Sequence, residues 1–171
     1  MSRYSGSPAK RLRFKNLRYE KKNWRATITI NRPKVHNALD YDTLVELKTA
    51  FEDASWDDKV AVVIVTGAGT KAFCTGADMK EWSKEFLGRP EDFYKWMGVF
   101  IETFDRLRNI GKPTIARLNG MVVGGGATIT GQGTGNVVVN QSTNRAIINW
   151  NTFNIGRGET TRFDQPDSSS V

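Results

Sequence analysis

The sequence predicts an α/β fold in which strand–strand–helix units stack on one another. Residues 61–65 are five consecutive aliphatic residues that end at Gly67, which is typical of a strand covered on both faces. Residues 24–30 alternate apolar and polar side chains, as a half-buried strand does. Residues 40–54 and 90–109 place apolar side chains at helical spacing. Strands that alternate with helices in this way indicate stacked ββα units.

The elements follow one another in chain order. A first strand begins at Leu12, is broken near Asn16 and pairs with residues 24–30. Asp40 is the expected N-cap of the first helix, and Pro90 opens the longest one. Residues 114–123 form a further strand with a bend near residue 119. The stripe of the longest helix is expected to share one core with Ile64; it consists of Phe93, Trp96, Met97, Phe100, Phe104 and Leu107.

A loop of small residues separates the central strand from the next helix. Residues 74–77 have short side chains, so their backbone amides can approach a ligand closely. Asp78 is the expected N-cap of the helix that follows. Cys74 is interpreted as a packing residue because no His or second Cys lies nearby in sequence.

The length and charge of the chain limit the classes of function that it can have. The chain has 171 residues and a formal net charge of +7, and its positive charge is concentrated in residues 1–25. This basic segment lacks interleaved stacking aromatics, which argues against nucleic acid and favours a solvated tail or contact with an anionic ligand. One cysteine, no apolar run of about 18 residues and no secretory signal predict a cytoplasmic protein that does not span a membrane.

Three segments carry a family resemblance. Residues 72–80, Ala-Phe-Cys-Thr-Gly-Ala-Asp-Met-Lys, resemble the oxyanion loop of the crotonases, the enoyl-CoA hydratase/isomerase superfamily. Residues 30–39 and residues 112–120, the latter followed by the glycines at 124–126, agree with that family in order and spacing. Together these segments carry the family resemblance over residues 12–126, and residues 14–21, 71–74 and 88–90 look most like the ring-opening branch, the 6-oxocyclohex-1-ene-1-carbonyl-CoA hydrolases.

The resemblance implies a chemistry. Crotonases stabilise the enolate of an acyl-CoA thioester with two backbone N–H groups, which by resemblance belong to Ala77 and Gly125. Coenzyme A thioester is then the substrate, and neither a covalently bound cofactor nor a metal is implied. A homo-oligomer is compatible with the family.

The resemblance also implies a coenzyme A site. Lys34, His36 and Ala38 lie in the loop that resembles the adenine-binding loop, and Ala72 flanks it. Lys34 and Lys80 are candidate phosphate contacts, and a solvated surface charge is the alternative interpretation of each.

The catalytic carboxylates of the family are missing from their expected positions. By resemblance they would stand at Thr128 and near Ile148, and no Asp or Glu occurs between Arg106 and Gly158. A Thr hydroxyl cannot serve as a base near neutral pH. The sequence therefore predicts little or no turnover, unless a second chain supplies the carboxylates.

The composition changes after Gly126. Residues 127–171 are rich in Gly, Thr and Asn, which opposes a helix. They resemble the N-terminal secretion domain of filamentous-haemagglutinin-like exoproteins, which implies part of a parallel β-helix. The expected organisation is a mobile basic arm (1–11), a crotonase-like part (12–126) and a β-helix-like segment (127–171). An inactive acyl-CoA enzyme fragment, a fragment of a secreted adhesin and a non-functional fusion all stay open.

Overall fold

The computed structural model describes residues 6–124, 127–130, 136–141 and 157–164. Gly125, Ile148 and the first five residues of the basic arm lie outside these ranges. The described helices are α1 (Tyr41–Trp56), α2 (Met79–Glu81), a π-helical turn that continues α2 (Trp82–Phe86) and α3 (Pro90–Arg108). The described strands are β1 (Leu17–Lys22), β2 (Arg25–Ile30), β3 (Val62–Gly67), β4 (Ala72–Cys74), β5 (Thr114–Arg117), β6 (Met121–Gly124), β7 (Ala127–Thr130), β8 (Asn136–Gln141) and β9 (Thr160–Asp164). Short 3-10 turns occur at Ala9–Arg11 and Pro33–Val35.

A four-stranded sheet in the order β1-β2-β3-β5 carries the first half of the fold. β1 and β2 form an antiparallel hairpin, whereas β2–β3 and β3–β5 are parallel. The parallel connections require crossovers, which the segments containing α1 and α3 provide. This arrangement confirms the predicted α/β order of strands and helices.

The core lies between this sheet and the two long helices. α1 begins where predicted, because the Asp40 side chain accepts a hydrogen bond from the Thr43 N–H at 2.8 Å. Trp96 on α3 is 2% exposed and stacks on the Phe100 ring at 5.6 Å. The buried core cluster comprises Leu17, Tyr19, Ala26, Ile28, Ile30, Leu39, Leu44, Leu47, Ala50, Phe51, Ala54, Val60, Val63, Val65, Trp96 and Ile110.

Among the described residues, only one face of the central strand packs against helices, which differs from the prediction of two covered faces. Val63 and Val65 point into the core, while Ile64 lies on the opposite face, in a shallow cavity with Thr27 and Arg117. Successive side chains of a strand point to opposite faces, so a continuous aliphatic run does not ensure two covered faces. The expectation that Ile64 and Phe100 share one core was therefore wrong.

The first strand begins at Leu17 and not at Leu12. The Glu46 carboxylate on α1 accepts hydrogen bonds from the N–H groups of Lys15 and Asn16, at 2.7 and 2.8 Å. These donors are therefore unavailable to a strand ladder. The second strand also starts one residue late, because Trp24 lies in the hairpin turn with φ 63°.

Residues predicted as one bent strand form two strands in different sheets. β5 ends the first sheet, and β6 joins a second sheet in the order β4-β6-β7-β8-β9. Gly120 makes the transition with φ 158°, where a Cβ would lie 2.5 Å from the backbone carbon of Lys71. The Met121 N–H then donates to the Lys71 carbonyl at 3.0 Å. Only glycine fits this close approach of two backbones.

The described residues beyond Gly126 form strands and a short turn and no helix, as the composition predicted. β6, β7 and β8 pair antiparallel, and β8 and β9 pair parallel. The antiparallel pairing of β6, β7 and β8 differs from the wholly parallel pairing expected of a β-helix. None of the helices in the described ranges combines the length and apolarity needed to cross a bilayer.

Candidate functional site

The loop between β4 and α2 leaves one backbone donor unused. Leu39 and Ala77 form a parallel bridge in which the Leu39 N–H donates to Gly76 O at 2.8 Å and the Asp78 N–H donates to Leu39 O at 2.9 Å. In a parallel ladder the residue between two bonded neighbours directs its own N–H away from the partner. The Ala77 N–H has no hydrogen-bond partner among the described residues. The predicted oxyanion donor is therefore held on both sides and is itself unpaired within these ranges.

Arg32 fixes both ends of this bridge. Its Nη2 contacts Asp40 Oδ2 at 2.7 Å and Asp78 Oδ2 at 2.9 Å, and its side chain is only 17% exposed. Its Nη1 donates to the Ala38 carbonyl. The two carboxylates are the N-caps of α1 and α2, so one guanidinium joins two helix starts. The loop that carries Ala77 is thereby tied to the loop that carries Ala38.

Asp78 performs the capping role that the sequence predicted. Its Oδ1 accepts hydrogen bonds from the N–H groups of Lys80 and Glu81, at 3.1 and 3.4 Å. Burial alone would raise the pKa of Asp78, but hydrogen bonds from Arg32 and from these two N–H groups outweigh it and lower that pKa. Asp78 is therefore an ionised structural anchor and not a proton acceptor.

Glu81, the other carboxylate near the loop, is also engaged. Its two oxygens accept the Tyr41 N–H at 3.0 and 3.1 Å, and Oε2 also accepts the Trp96 Nε1–H at 3.1 Å. Burial raises the pKa of Glu81, and the nearby charges of Asp40 and Glu85 add to this against the opposing hydrogen bonds. These contacts connect the starts of α1 and α2 to α3.

Three of the predicted coenzyme A contacts surround one cavity of about 350 Å³. Lys34, His36 and Ala72 line it, together with Asn37 and Lys71. Lys34, His36 and Lys71 are exposed, whereas Ala72 is buried. The cavity thus offers an apolar floor and two ammonium groups at the surface, a combination that suits a nucleotide.

Two asparagines that sequence reasoning left without a role hold the backbone around this cavity: Asn37 lines it, and Asn119 bonds Gly69, which lines it. Asn37 is fully buried with φ 58°, and its Nδ2 donates to Ala68 O at 3.0 Å and Ala72 O at 2.8 Å. Asn119 Nδ2 donates to Gly69 O at 2.7 Å, and its Oδ1 accepts the Gly67 N–H at 2.9 Å. The sequence could have indicated these roles, because asparagine often adopts a left-handed backbone and its side chain often bonds to nearby backbone groups.

The other predicted site residues lie elsewhere or outside the described residues. Ala38 is buried behind the loop, 6% exposed, with its carbonyl bonded to Arg32. Lys80 is exposed and lines a separate charged cavity, so it does not join Lys34. Gly125 and Ile148 lie outside the described ranges, and Thr128 belongs to β7, where its backbone pairs with Val123 and Asn140.

Cys74 stands beside the loop as a neutral thiol. Burial raises its pKa, and the Gly76 N–H that donates to Sγ at 3.4 Å only partly opposes this. A thiol with a raised pKa is a poor nucleophile near neutral pH. This agrees with its interpretation as a packing residue.

An apolar cavity of about 530 Å³ opens between the π-helical turn after α2 and the start of α3. It is lined by Met79, Trp82, Ser83, Phe86, Leu87, Gly88, Pro90 and Phe93. Met79 and Leu87 are 67% and 77% exposed, so the cavity is open to solvent. No group of three or more His, Cys, Asp or Glu side chains in the described ranges could hold a metal ion.

Comparison with known proteins places these features in context. The sequence model of a family described as enoyl-CoA hydratase/isomerase matches residues 20–155. A 6-oxocyclohex-1-ene-1-carbonyl-CoA hydrolase of Geobacter metallireducens is 36% identical over 106 residues, which is 62% of this chain and 28% of that protein. A short-chain-enoyl-CoA hydratase of Clostridium acetobutylicum is 39% identical over 119 residues, which is 69% of this chain and 44% of that protein.

Solved structures agree. A crystal structure of an enoyl-CoA hydratase/carnithine racemase from Magnetospirillum magneticum superposes with a TM-score of 0.58 at 34% identity, over 62% of this chain and 39% of that one. An enoyl-CoA hydratase from Bacillus anthracis gives a TM-score of 0.58 at 30% identity, over 62% and 40% of the two chains. This chain thus spans less than half the length of each of these relatives.

Proposed function

This chain belongs to the enoyl-CoA hydratase/isomerase family, and from that premise we propose that residues 12–126 bind a coenzyme A thioester without turning it over efficiently. The observation that carries the proposal is the Ala77 N–H, which has no partner among the described residues while the N–H groups of Leu39 and Asp78 are bonded. A backbone N–H held in this way can donate to the thioester oxygen without losing an internal hydrogen bond.

The proposed binding mode combines this donor with two cavities, one lined by residues between Pro33 and Ala72 and one that begins at Met79, two residues after Ala77. The nucleotide part of coenzyme A lies in the cavity lined by Lys34, His36 and Ala72, where the Lys34 and Lys71 ammonium groups meet phosphate. The thioester oxygen accepts the Ala77 N–H, and the acyl group enters the apolar cavity that begins at Met79. Gly125 is the proposed second donor, as the family resemblance implies.

Poor turnover is expected because Asp78 and Glu81, the two carboxylates that follow Ala77 most closely in sequence, are both engaged. Asp78 is ionised and bonded to Arg32, and both oxygens of Glu81 accept hydrogen bonds. Thr128 occupies the position that resembles a catalytic glutamate, and the sequence contains no Asp or Glu from Arg106 to Gly158. Loss of general acid–base help costs roughly 10²–10⁴ in rate. A second copy of the chain that supplies carboxylates is the alternative within this proposal.

Two other proposals differ in class. A fragment of a secreted adhesin would rest on residues 127–171 and on the parallel pairing of β8 with β9. A non-functional fusion joined near Gly126 would leave the Ala77 loop without a ligand. We favour the acyl-CoA proposal because it accounts for residues 12–126. The proposed location of the protein is the cytoplasm, where a lone cysteine stays reduced.

Calorimetric titration with coenzyme A and with crotonyl-CoA tests the proposal. We expect both ligands to bind the full chain and Lys34→Gln to weaken binding about tenfold, since a hydrogen bond to a charged group contributes about 1.5 kcal/mol. Lys59→Gln is the matched control, because Lys59 is exposed before β3, away from the cavity. No measurable binding of either ligand, or equal effects of the two substitutions, would contradict the proposal.

A hydration assay tests the catalytic half of the proposal. We expect the rate to stay close to background and to rise in Thr128→Glu, which restores a carboxylate at the family position. Turnover by the unmodified chain within about tenfold of a median enzyme, ~10 s⁻¹, would contradict it.

A further inference from the structure

The tip of the β1–β2 hairpin holds a tryptophan in a backbone conformation that suits glycine. Asn23 and Trp24 have φ of 51° and 63°, and they lie between Lys22 and Arg25, which face each other in the ladder. Positive φ at both central residues is the requirement of a type I′ turn, whose second position is usually glycine. A bulky side chain in this backbone region is unfavourable and persists where the side chain has a use.

The Trp24 side chain takes no part in the core. The residue is 65% exposed, and its ring makes no hydrogen bond or ring contact among the described residues. Its backbone carbonyl accepts the N–H groups of Ala61 and Val62 at 2.7 and 3.2 Å, which ties the tip to the start of β3. The backbone is therefore held, while a large apolar ring stays in water, which is unfavourable for an isolated chain.

Two cations flank this ring without a counter-ion. Lys22 and Arg25 are exposed, lie directly opposite each other and have no ion pair among the described residues. Like charges at opposed positions destabilise a hairpin. Arg18 and Arg117 line the same face of the sheet, where Glu20 is the one carboxylate of that lining. The hairpin tip therefore combines an exposed indole ring with net positive charge.

The opposite face of the hairpin is anchored to α1. Lys21 is 14% exposed, and its Nζ contacts Asp53 Oδ2 at 2.7 Å and Asp57 Oδ2 at 2.6 Å. Asp58 and Lys59, in the turn before β3, add no net charge. Because the hairpin is already held against α1, a ligand at its tip has little backbone to order.

These features suit a lipid surface better than a nucleic acid. Indole rings concentrate at membrane–water interfaces, and neighbouring Lys and Arg are attracted to anionic headgroups. Single-stranded nucleic acid stacks successive bases on several aromatic rings, whereas the described lining of this sheet face contains none. We propose that the hairpin tip binds the surface of an anionic phospholipid bilayer, with the Trp24 ring in the interface and Lys22 and Arg25 at the headgroups. This peripheral binding is independent of the proposed coenzyme A binding.

Vesicle co-sedimentation of the full chain tests the proposal. We expect binding to vesicles of equal parts phosphatidylcholine and phosphatidylserine, weaker binding at high salt and none to phosphatidylcholine alone. Trp24→Gly is expected to weaken binding about tenfold or more without lowering the midpoint of thermal unfolding, since glycine adopts this backbone freely. Lys22→Gln combined with Arg25→Gln is expected to weaken binding by about tenfold or more as well.

Matched controls lie away from the hairpin. Tyr94 on α3 is 81% exposed, so Tyr94→Ala removes an exposed aromatic ring elsewhere. Lys84→Gln combined with Lys95→Gln removes two exposed cations from the π-helical turn and α3. Both controls are expected to keep most of the vesicle binding. Quenching of tryptophan fluorescence by brominated phospholipid reports insertion of the ring, and we expect it in the unmodified chain and not in Trp24→Gly.

Several results would overturn the proposal. These are equal binding to neutral and anionic vesicles, no binding to either, or an equal loss in the charge controls. Tighter binding to a single-stranded oligonucleotide, lost in Trp24→Gly, would make the tip a nucleic-acid site. Self-association without lipid that Trp24→Gly abolishes would make it an interface between copies. If Trp24→Gly does not fold, Trp24→Asn provides the same test, because asparagine also tolerates this backbone. Calorimetry with coenzyme A in the absence of lipid tests the proposed function separately.

Discussion

Single side chains decide where the Ala77 N–H points. Arg32 joins the caps of α1 and α2, and Asn37 joins the loop after β2 to the loop after β3. Both side chains use most of their polar atoms on backbone or on capping carboxylates. Because a group that is buried and fully bonded cannot move without leaving a partner unpaired, these two residues hold the loop in one geometry.

Asp78→Asn tests this arrangement at the residue level through its pH dependence. Asparagine can still cap α2 but cannot form the ion pair with Arg32. We expect the free energy of unfolding at pH 7 to fall by about 1.5–3 kcal/mol, the contribution of a hydrogen bond to a charged group. Chemical denaturation at pH 7 provides the measurement, with Glu91→Gln, an exposed carboxylate at the start of α3, as the control.

The sign of the pH effect follows from the direction of the shift. The pKa of Asp78 is lower in the fold than the ~3.9 of an unfolded aspartate, so its contribution is present above pH 4 and is lost as the pH falls through the folded pKa. Asp57, whose pKa is lowered by Lys21 and the Lys59 N–H despite burial, adds to the same acid loss. We expect Asp78→Asn to lose less stability than the unmodified chain between about pH 4 and pH 2. Parallel curves for the two proteins would show that Asp78 contributes no ion pair.

The N-caps Asp40 and Asp78 could be predicted from sequence, whereas the long-range contacts of Arg32 and Asn119 could not. Asp40 and Asp78 act within three residues of themselves, so local spacing was sufficient. Arg32 reaches Asp78 across 46 residues, and Asn119 reaches Gly69 across 50. Only the packed fold brings these partners together, which is why the two asparagines and the arginine had no predicted role.

At the level of elements, the two sheets differ in how they are supported. β3 lies inside the first sheet, paired on both sides and covered by α1 and α3 on one face. The second sheet is joined to it through β4 and the tight bend at Gly120. The apolar run of β3 predicted a strand correctly, but sequence alone could not tell that its other face would be open in the described residues.

Hydrogen exchange tests this difference between the sheets. We expect the amides of β7, β8 and β9 to exchange at least tenfold faster than those of Val63 and Val65, because a Gly-, Thr- and Asn-rich sequence offers few apolar side chains for a core. Val139, 1% exposed, is the residue in β8 with the best chance of slow exchange. Equal protection across β3 and β8 would instead mean that both sheets unfold as one cooperative unit.

At the level of the whole molecule, the proposed coenzyme A loop belongs to a chain that has no Asp or Glu between Arg106 and Gly158. The match covers 28% of the Geobacter metallireducens hydrolase and 44% of the Clostridium acetobutylicum hydratase. The remaining parts of those two proteins are not matched by this chain. The bonds that flank Ala77, from Leu39, Asp78 and Arg32, all lie within residues 30–81. Ligand binding at Ala77 can therefore persist where turnover does not.

The most direct measurement is the behaviour of the Ala77 amide proton in solution. By NMR of the ¹⁵N-labelled chain, the Ala77 N–H should exchange rapidly with solvent in the free protein, whereas the bonded N–H groups of Leu39 and Asp78 should be protected. Addition of crotonyl-CoA should shift the Ala77 proton downfield and slow its exchange, with no comparable change at Leu39. An Ala77 amide that is already as protected as Asp78 in the free chain, or that does not respond at saturating thioester, would contradict the account.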